Sequence, residues 1–297
     1  MKVKQAIKKL RKETAGLLPN QDSSVMSIME YVLEINEAGV FKYLNKDLTP
    51  KHTKKLNKTI TMLKKHVPLE HITSTAFFYG HRFSVSKDTL IPRPETETLV
   101  EQAILKIHEK LFCDKEFCDD EGNTKNYLNI IDVGTGSGCI ITSIALTIRE
   151  PVKYYATELC PKALNLAQKN ISAYKLTRQI QLFQGSLLEP VEQTVTFDLV
   201  VANLPYILRA DLPKLPKSVR MYEPEIALDG GPDGTKIIHE MLTQTTSRLK
   251  KRGIILLELQ PKIINTVKKF AQKHYPHAKI TSTHDLFDVE RFLIIQT

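Results

Sequence analysis

Ile130-Ile131-Asp132-Val133-Gly134-Thr135-Gly136-Ser137-Gly138-Cys139-Ile140 decides how this chain is read. Within these residues a buried strand runs into a glycine turn, and the turn opens a helix. Glycine lets the backbone turn sharply and approach a ligand closely, and the helix that follows presents unpaired N–H groups at its start. The pattern is that of a nucleotide-type cradle. The glycines are spaced G-x-G-x-G, and the dinucleotide fingerprint G-x-G-x-x-G needs glycine where Cys139 stands, which weakens the simplest NAD reading.

Outward from this turn, strands and helices alternate as in a parallel sheet. Strands are expected at 129–133, 153–157, 179–183, 197–202, 253–259, 278–282 and 291–296, and helices at 96–111, 139–149, 161–174, 235–250 and 261–274. The last two strands follow each other as a hairpin. The fold class is therefore α/β, a doubly wound seven-stranded sheet with its ligand at the carboxyl ends of the strands. Glu158 closes the second strand, where the chain of such a fold reaches the ribose of a bound nucleoside.

The chain has 297 residues, enough for one large α/β domain and a smaller companion. Three parts are expected: a helical partner-binding domain at 1–74, a β-hairpin linker at 75–89 around a Gly80-His81 turn, and a catalytic domain at 90–297. Ser24 is read as the cap of the second helix, which runs through Ile28, Val32 and Ile35, and Thr49-Pro50 as the start of the third. Residues 113–127 read as an exposed acidic loop. Charge is unevenly placed: residues 1–66 hold fourteen Lys and Arg against six Asp and Glu, so nearly all of the chain's +9 lies there. A basic module beside a neutral one points to an acidic partner, or simply to a lysine-rich soluble surface. There is neither a signal peptide nor a membrane span, so a cytoplasmic location is expected. Cys113, Cys118, Cys139 and Cys160 are scattered without a histidine cluster, so neither a metal site nor a disulfide framework is expected.

The fourth strand of the sheet runs straight into Asn203-Leu204-Pro205-Tyr206. A planar NH₂ on an amide or a purine is a poor nucleophile because its lone pair is delocalised. To accept a methyl group it needs hydrogen-bond acceptors that hold it in place and draw it towards tetrahedral geometry. The Asn203 side-chain oxygen and the Pro205 carbonyl can supply two, and the Tyr206 ring offers a flat face to the substrate plane.

The chain resembles the release-factor glutamine methyltransferases. The resemblance runs from Pro68 to about Gly253 and is carried by Leu90-Ile91-Pro92-Arg93-Pro94-Glu95-Thr96-Glu97, the glycine turn, Asn203-Leu204-Pro205-Tyr206, and Glu223-Pro224-Glu225-Ile226-Ala227-Leu228-Asp229-Gly230-Gly231-Pro232-Asp233-Gly234. It implies an enzyme that moves a methyl group from S-adenosyl-L-methionine, leaving S-adenosyl-L-homocysteine. The acceptor it implies is the side-chain amide nitrogen of Gln in the Gly-Gly-Gln loop of class I peptide chain release factors. By position, Gly134, Thr135, Gly136, Ser137 and Gly138 would line the methionine and ribose part of the cofactor, Glu158 the ribose, and Leu187 the adenine. Asn203, Leu204, Pro205 and Tyr206 would hold the glutamine amide, with Asn203 also beside the cofactor.

The chain departs from the family pattern at Leu204 (usually Pro), Ser186 (commonly an acid) and Gln260 (usually Gly). A monomer that engages release factors, with no nucleic acid as direct substrate, is the expectation. An adenine-N6 methyltransferase acting on RNA or DNA stays open because aminopurine poses the same problem to the same tetrapeptide. A non-catalytic binding module of the same fold is the remaining alternative.

Overall fold

A computed structural model describes residues 1–18, 20–113 and 127–297. Apart from its two end residues, the acidic loop expected at 113–127 lies outside the described residues. In chain order the elements are α1 (Val3–Glu13), α2 (Gln21–Leu33), α3 (Glu37–Lys42), α4 (Pro50–Lys64), α5 (Leu69–Thr73), β1 (Thr75–Phe78), β2 (His81–Ser84) and α6 (Pro94–Cys113). There follow β3 (Leu128–Val133), α7 (Cys139–Thr147), β4 (Val152–Glu158), α8 (Pro161–Ala173), β5 (Ile180–Gln184), β6 (Phe197–Ala202) and α9 (Lys217–Tyr222). The chain continues with α10 (Lys236–Thr245), β7 (Leu249–Glu258), α11 (Pro261–His274), β8 (Lys279–His284) and β9 (Glu290–Gln296).

The chain forms two compact units, Met1–Thr75 with Pro216–Tyr222, and Ala76–Leu215 with Glu223–Thr297. The first is helical. Leu10, Val25, Ile28, Met29, Val32 and Leu56 are wholly buried at its centre, because each helix carries its apolar residues on one stripe. Thr49 caps α4 by accepting from the His52 N–H at 3.2 Å, and Pro50 occupies the first helical position. Ser24 does not cap α2. That helix starts four residues earlier than such a cap would place it, after Asn20, and buries Ser24 inside it, with Asp22 in the first turn favouring the dipole. Lys51, Lys54 and Lys58 are exposed on α4, whereas Lys55 lies over the Tyr31 ring, 3.9 Å from its centre, and bonds Glu34 at 3.0 Å.

The second unit is a seven-stranded sheet in the order β5-β4-β3-β6-β7-β9-β8, parallel except for β9, which runs antiparallel to both its neighbours. Helices cover both faces, and side chains alternate accordingly. Ile130, Leu199, Val201 and Leu256 join α6, α7 and α8, while Ile131, Val200, Ile255 and Leu293 join α10 and α11. The β1–β2 turn is at Tyr79-Gly80 rather than Gly80-His81. Both residues have positive φ (49° and 73°), as a two-residue primed turn requires, and His81 is already strand. Asn170 on α8 pairs with Ser84 in both directions (2.8 and 2.9 Å), tying this hairpin to the sheet's helical cover.

One helix is much shorter than periodicity predicts. Residues 246–250 were expected to continue α10, but the buried Arg248 draws this stretch to the sheet. Its guanidinium donates to the carbonyls of Val195 and Glu192, both at 2.8 Å, and its own carbonyl accepts from Phe197 N at 2.8 Å. With Leu249 then paired to Phe197, β7 begins four residues earlier than expected.

Candidate active site

Sheet order reverses between β3 and β6, and this switch point is where an open α/β sheet holds its ligand. Val133 and Ala202 are partners in the register, so Gly134 and Asn203 leave the sheet side by side. A cavity of about 330 Å³ opens here, within the usual range of ligand pockets.

The glycine turn forms its floor. Gly134 and Thr135 both donate to the Thr157 carbonyl (3.0 and 2.9 Å), and Gly138 N closes the turn on Thr135 O at 2.8 Å. Gly136, at φ +58°, would project a Cβ into open space, so the cradle leaves room for a ligand directly above it. Asn170 pins the turn from beneath by donating to Ser137 O at 2.8 Å. Gly138 is not part of the cavity wall. A Cβ there would stand 3.3 Å from that of Ala167, so this glycine serves close packing of α8.

Glu158 reaches the cavity from the end of β4, and its carboxylate is fixed by two backbone donors, Gly136 N at 2.9 Å and Cys160 N at 2.8 Å. Asp132 lies below, fully buried. It accepts from the Thr135 hydroxyl at 2.6 Å through one oxygen, and the other has no hydrogen bond of ordinary geometry among the described residues. Burial pushes its carboxyl up to about 7, with Glu158 adding to the rise and the Thr135 hydroxyl opposing it. Leu187 lines the apolar side, held in the left-handed region at φ +49°, while the next N–H is bonded to Gln244 at 2.9 Å. Ser186, Thr89, Pro92 and Arg93 also face the cavity.

Asn203, Leu204 and Pro205 form the opposite wall. Asn203 Nδ2 donates to Thr96 Oγ1 at 3.1 Å, which leaves the side-chain oxygen as the free end of the amide. The Pro205 carbonyl accepts no hydrogen bond among the described residues, and a Cβ on Gly230 would stand only 2.8 Å from it. Leu204 is buried and packs against Gly134 on the core side of the turn.

Tyr206 is half-buried and is not part of the cavity wall. Its hydroxyl donates to Glu258 Oε1 at 3.2 Å, and its carbonyl accepts from Gln260 Nε2 at 2.7 Å. Glu258 and Gln260 therefore hold the tetrapeptide from behind, away from the cavity. Burial raises the Glu258 carboxyl, opposed by the Thr96 hydroxyl, Arg291 and Tyr206, although Oε2 has no hydrogen bond of ordinary geometry. Tyr206 is raised too, by burial and by Glu258.

The segment after α9 closes the far side. Ile207 N bonds Leu228 O at 3.0 Å and Gly230 N bonds Ile207 O at 2.9 Å, so residues 228–230 run beside the tetrapeptide's continuation. Glu223 is buried, accepting from Arg93 and from Ile91 N (3.1 Å), which ties this segment to the entry of α6. Asn170, Thr96 and Glu223 were not assigned such contacts from the sequence, because their partners lie 33 to 132 residues away.

This sheet order, with a glycine turn and an acid at the ends of adjacent strands, is the class I methyltransferase fold. The solved catalytic domain of hMettl16, in complex with MAT2A 3'UTR hairpin 6, superposes with a TM-score of 0.54 over 82% of this chain and 81% of that one, at 15% identity. The family pattern for Ribosomal protein L11 methyltransferase (PrmA) matches residues 116–222.

Two curated relatives are more specific. The Release factor glutamine methyltransferase of Clostridium acetobutylicum is 34% identical over 87% of this chain and 86% of its own length. That of Rhodopirellula baltica is 33% identical over 77% and 73%. The chain belongs to the release factor glutamine methyltransferase family, and it is a methyltransferase.

Proposed function

We propose that this protein transfers a methyl group from S-adenosyl-L-methionine to the side-chain amide nitrogen of Gln in the Gly-Gly-Gln motif of class I peptide chain release factors. The residues present suit that cofactor: open space above Gly136, a carboxylate at Glu158 already oriented to accept from ribose hydroxyls, and an apolar wall at Leu187 for a purine. When bound, it supplies an electrophilic methyl group on sulfonium. Gly134 to Ser137 hold its methionine and ribose part, and Gly138 shapes the turn from outside.

The single observation that carries the reading is the orientation of Asn203. Its nitrogen bonds Thr96, which leaves its oxygen as the unbonded end of an amide in the cavity wall, beside a Pro205 carbonyl that accepts no hydrogen bond among the described residues. Two acceptors are what a carboxamide NH₂ needs, and they favour the geometry in which nitrogen can use its lone pair. Tyr206, anchored by its hydroxyl to Glu258, steadies the turn from behind. Leu204 packs below.

The helical unit, with exposed lysines on α4, is proposed to hold the release factor through an acidic face. The enzyme acts as a monomer in this scheme. Incubation with S-adenosyl-L-methionine and a release factor, followed by mass spectrometry of the Gly-Gly-Gln peptide, should find one added methyl on Gln. Methyl incorporation into RNA instead would sink the glutamine assignment.

A further inference from the structure

The Asn203 amide can face the cavity in two ways, and they recognise opposite chemistries. With its oxygen inward it receives a group that carries N–H; with its nitrogen inward it receives a carboxylate. We infer that Thr96 sets this choice: by accepting the Asn203 Nδ2–H it makes the site a receiver of carboxamides and a rejector of carboxylates. The inference rests on the glutamine reading and adds the residue that determines specificity within it.

Three observations carry it. Asn203 Nδ2 donates to Thr96 Oγ1 at 3.1 Å, and both residues line the cavity. Thr96 is buried in the first turn of α6, where its own N–H bonds the Arg93 carbonyl at 3.0 Å, so the hydroxyl has little freedom to move away. Behind it stands the buried Glu258, whose Oε1 accepts from the Tyr206 hydroxyl at 3.2 Å and so closes the space into which Thr96 could turn. A hydroxyl has one proton and two lone pairs. In the hydrogen bond seen, a Thr96 lone pair faces Asn203, and only the amide nitrogen can satisfy it. Thr96 touches neither transferred atom, so it is a positioning residue.

Thr96→Val keeps the shape and removes the acceptor, whereas Thr96→Ser keeps the hydroxyl and removes the methyl. Full-length proteins would be compared on two peptides that differ only in ending the motif as Gly-Gly-Gln or Gly-Gly-Glu. Turnover is read on the first and calorimetric affinity on both, with S-adenosyl-L-homocysteine binding as the check of folding. For Thr96→Val we expect kcat to fall about 10–100-fold, the range for removing an outer partner that orients a site group. The preference for Gln over Glu should also narrow by roughly 10-fold, because the freed amide can turn over.

Thr96→Ser should stay within about threefold of wild type on both measures, since the hydroxyl is what the argument requires. A parallel loss of both peptides in Thr96→Val, with the ratio unchanged, would overturn the inference. So would a Thr96→Ser enzyme as impaired as Thr96→Val, and that arm decides the matter if the valine variant fails to bind homocysteine cofactor. Should the wild type transfer no methyl to the Gln peptide, the glutamine reading itself falls, and this inference with it.

Discussion

Gly134 and Leu204 leave adjacent strands in contact, so close that a Cβ on Gly134 would stand 2.9 Å from Leu204 Cδ2. Gly134 also sits at φ +72°, so two separate constraints require glycine there. Gly134→Ala should therefore destabilise the fold by about 1–3 kcal/mol through strain and overpacking. Shortening the partner should recover part of this: Gly134→Ala with Leu204→Ala should be less destabilised than the sum of the single changes. Denaturant titration of the four proteins measures the coupling, and strict additivity would show that the contact is not felt.

Gly136→Val acts differently, because nothing in the protein meets a Cβ there. Its φ of +58° adds a strain of about 1–2 kcal/mol, which an otherwise intact domain tolerates. The branched side chain would occupy the proposed path of the cofactor. Calorimetry should find S-adenosyl-L-homocysteine binding abolished in a protein with near wild-type circular dichroism, and retained affinity would remove the cradle from the site.

Asn203→Ala should lower kcat by about 10²–10³-fold, as when one preorganised polar partner of a transition state is removed. Cofactor affinity should change little, since Glu158 and the glycine turn are untouched. An equal loss in cofactor binding would move Asn203 from the substrate side of the cavity to the cofactor side.

Reversing charge on α4 with Lys54→Glu and Lys58→Glu tests the role proposed for the helical unit. Both side chains are exposed, so the fold should be unaffected. Methylation of intact release factor should weaken, and more steeply at low than at high salt, while a short Gly-Gly-Gln peptide should be methylated as before. Equal loss on both substrates would mean that these lysines do not dock the partner.

Asp132 makes stability depend on pH in a definite direction. Its carboxyl lies at about 7 in the fold, against an ordinary value of 3.8, chiefly through burial. Between those values the unfolded chain has already lost the proton that the native state keeps. Rising pH therefore destabilises the fold across this window, and the loss is complete above about 7. Asp132→Asn lacks this group, so its Tm relative to wild type should rise from pH 4 to 7 and then level off. A gap that does not vary with pH would refute the assignment.

The glycine turn, Glu158 and the run from β6 into Asn203 were legible in the sequence because each depends on neighbours within a few residues. Strand positions came from apolar runs that both faces of the sheet require. What stayed hidden depends on distant partners. Arg248 ends α10 early because it finds carbonyls more than fifty residues away, and no helical periodicity reports that. Thr96 stands within the legible motif at 90–97, but its bond with Asn203 spans 107 residues. Asn170, buried in an ordinary amphipathic helix, carries no local mark of joining the hairpin and the glycine turn.

The place of β9 between β7 and β8 has a consequence for biosynthesis. β9 separates two strands made before it, and among the described residues β8 bonds to the sheet only through it. β9 also covers the strand that supplies Glu258, which is paired with Phe292, and the next residue, Leu259, bonds Arg291 O at 2.8 Å. On a translating ribosome the glycine turn and Asn203 emerge long before this support. A nascent chain stalled before residue 290 should therefore lack the backing of the wall proposed to hold the acceptor amide, and methyl transfer should begin only once β9 has cleared the exit tunnel.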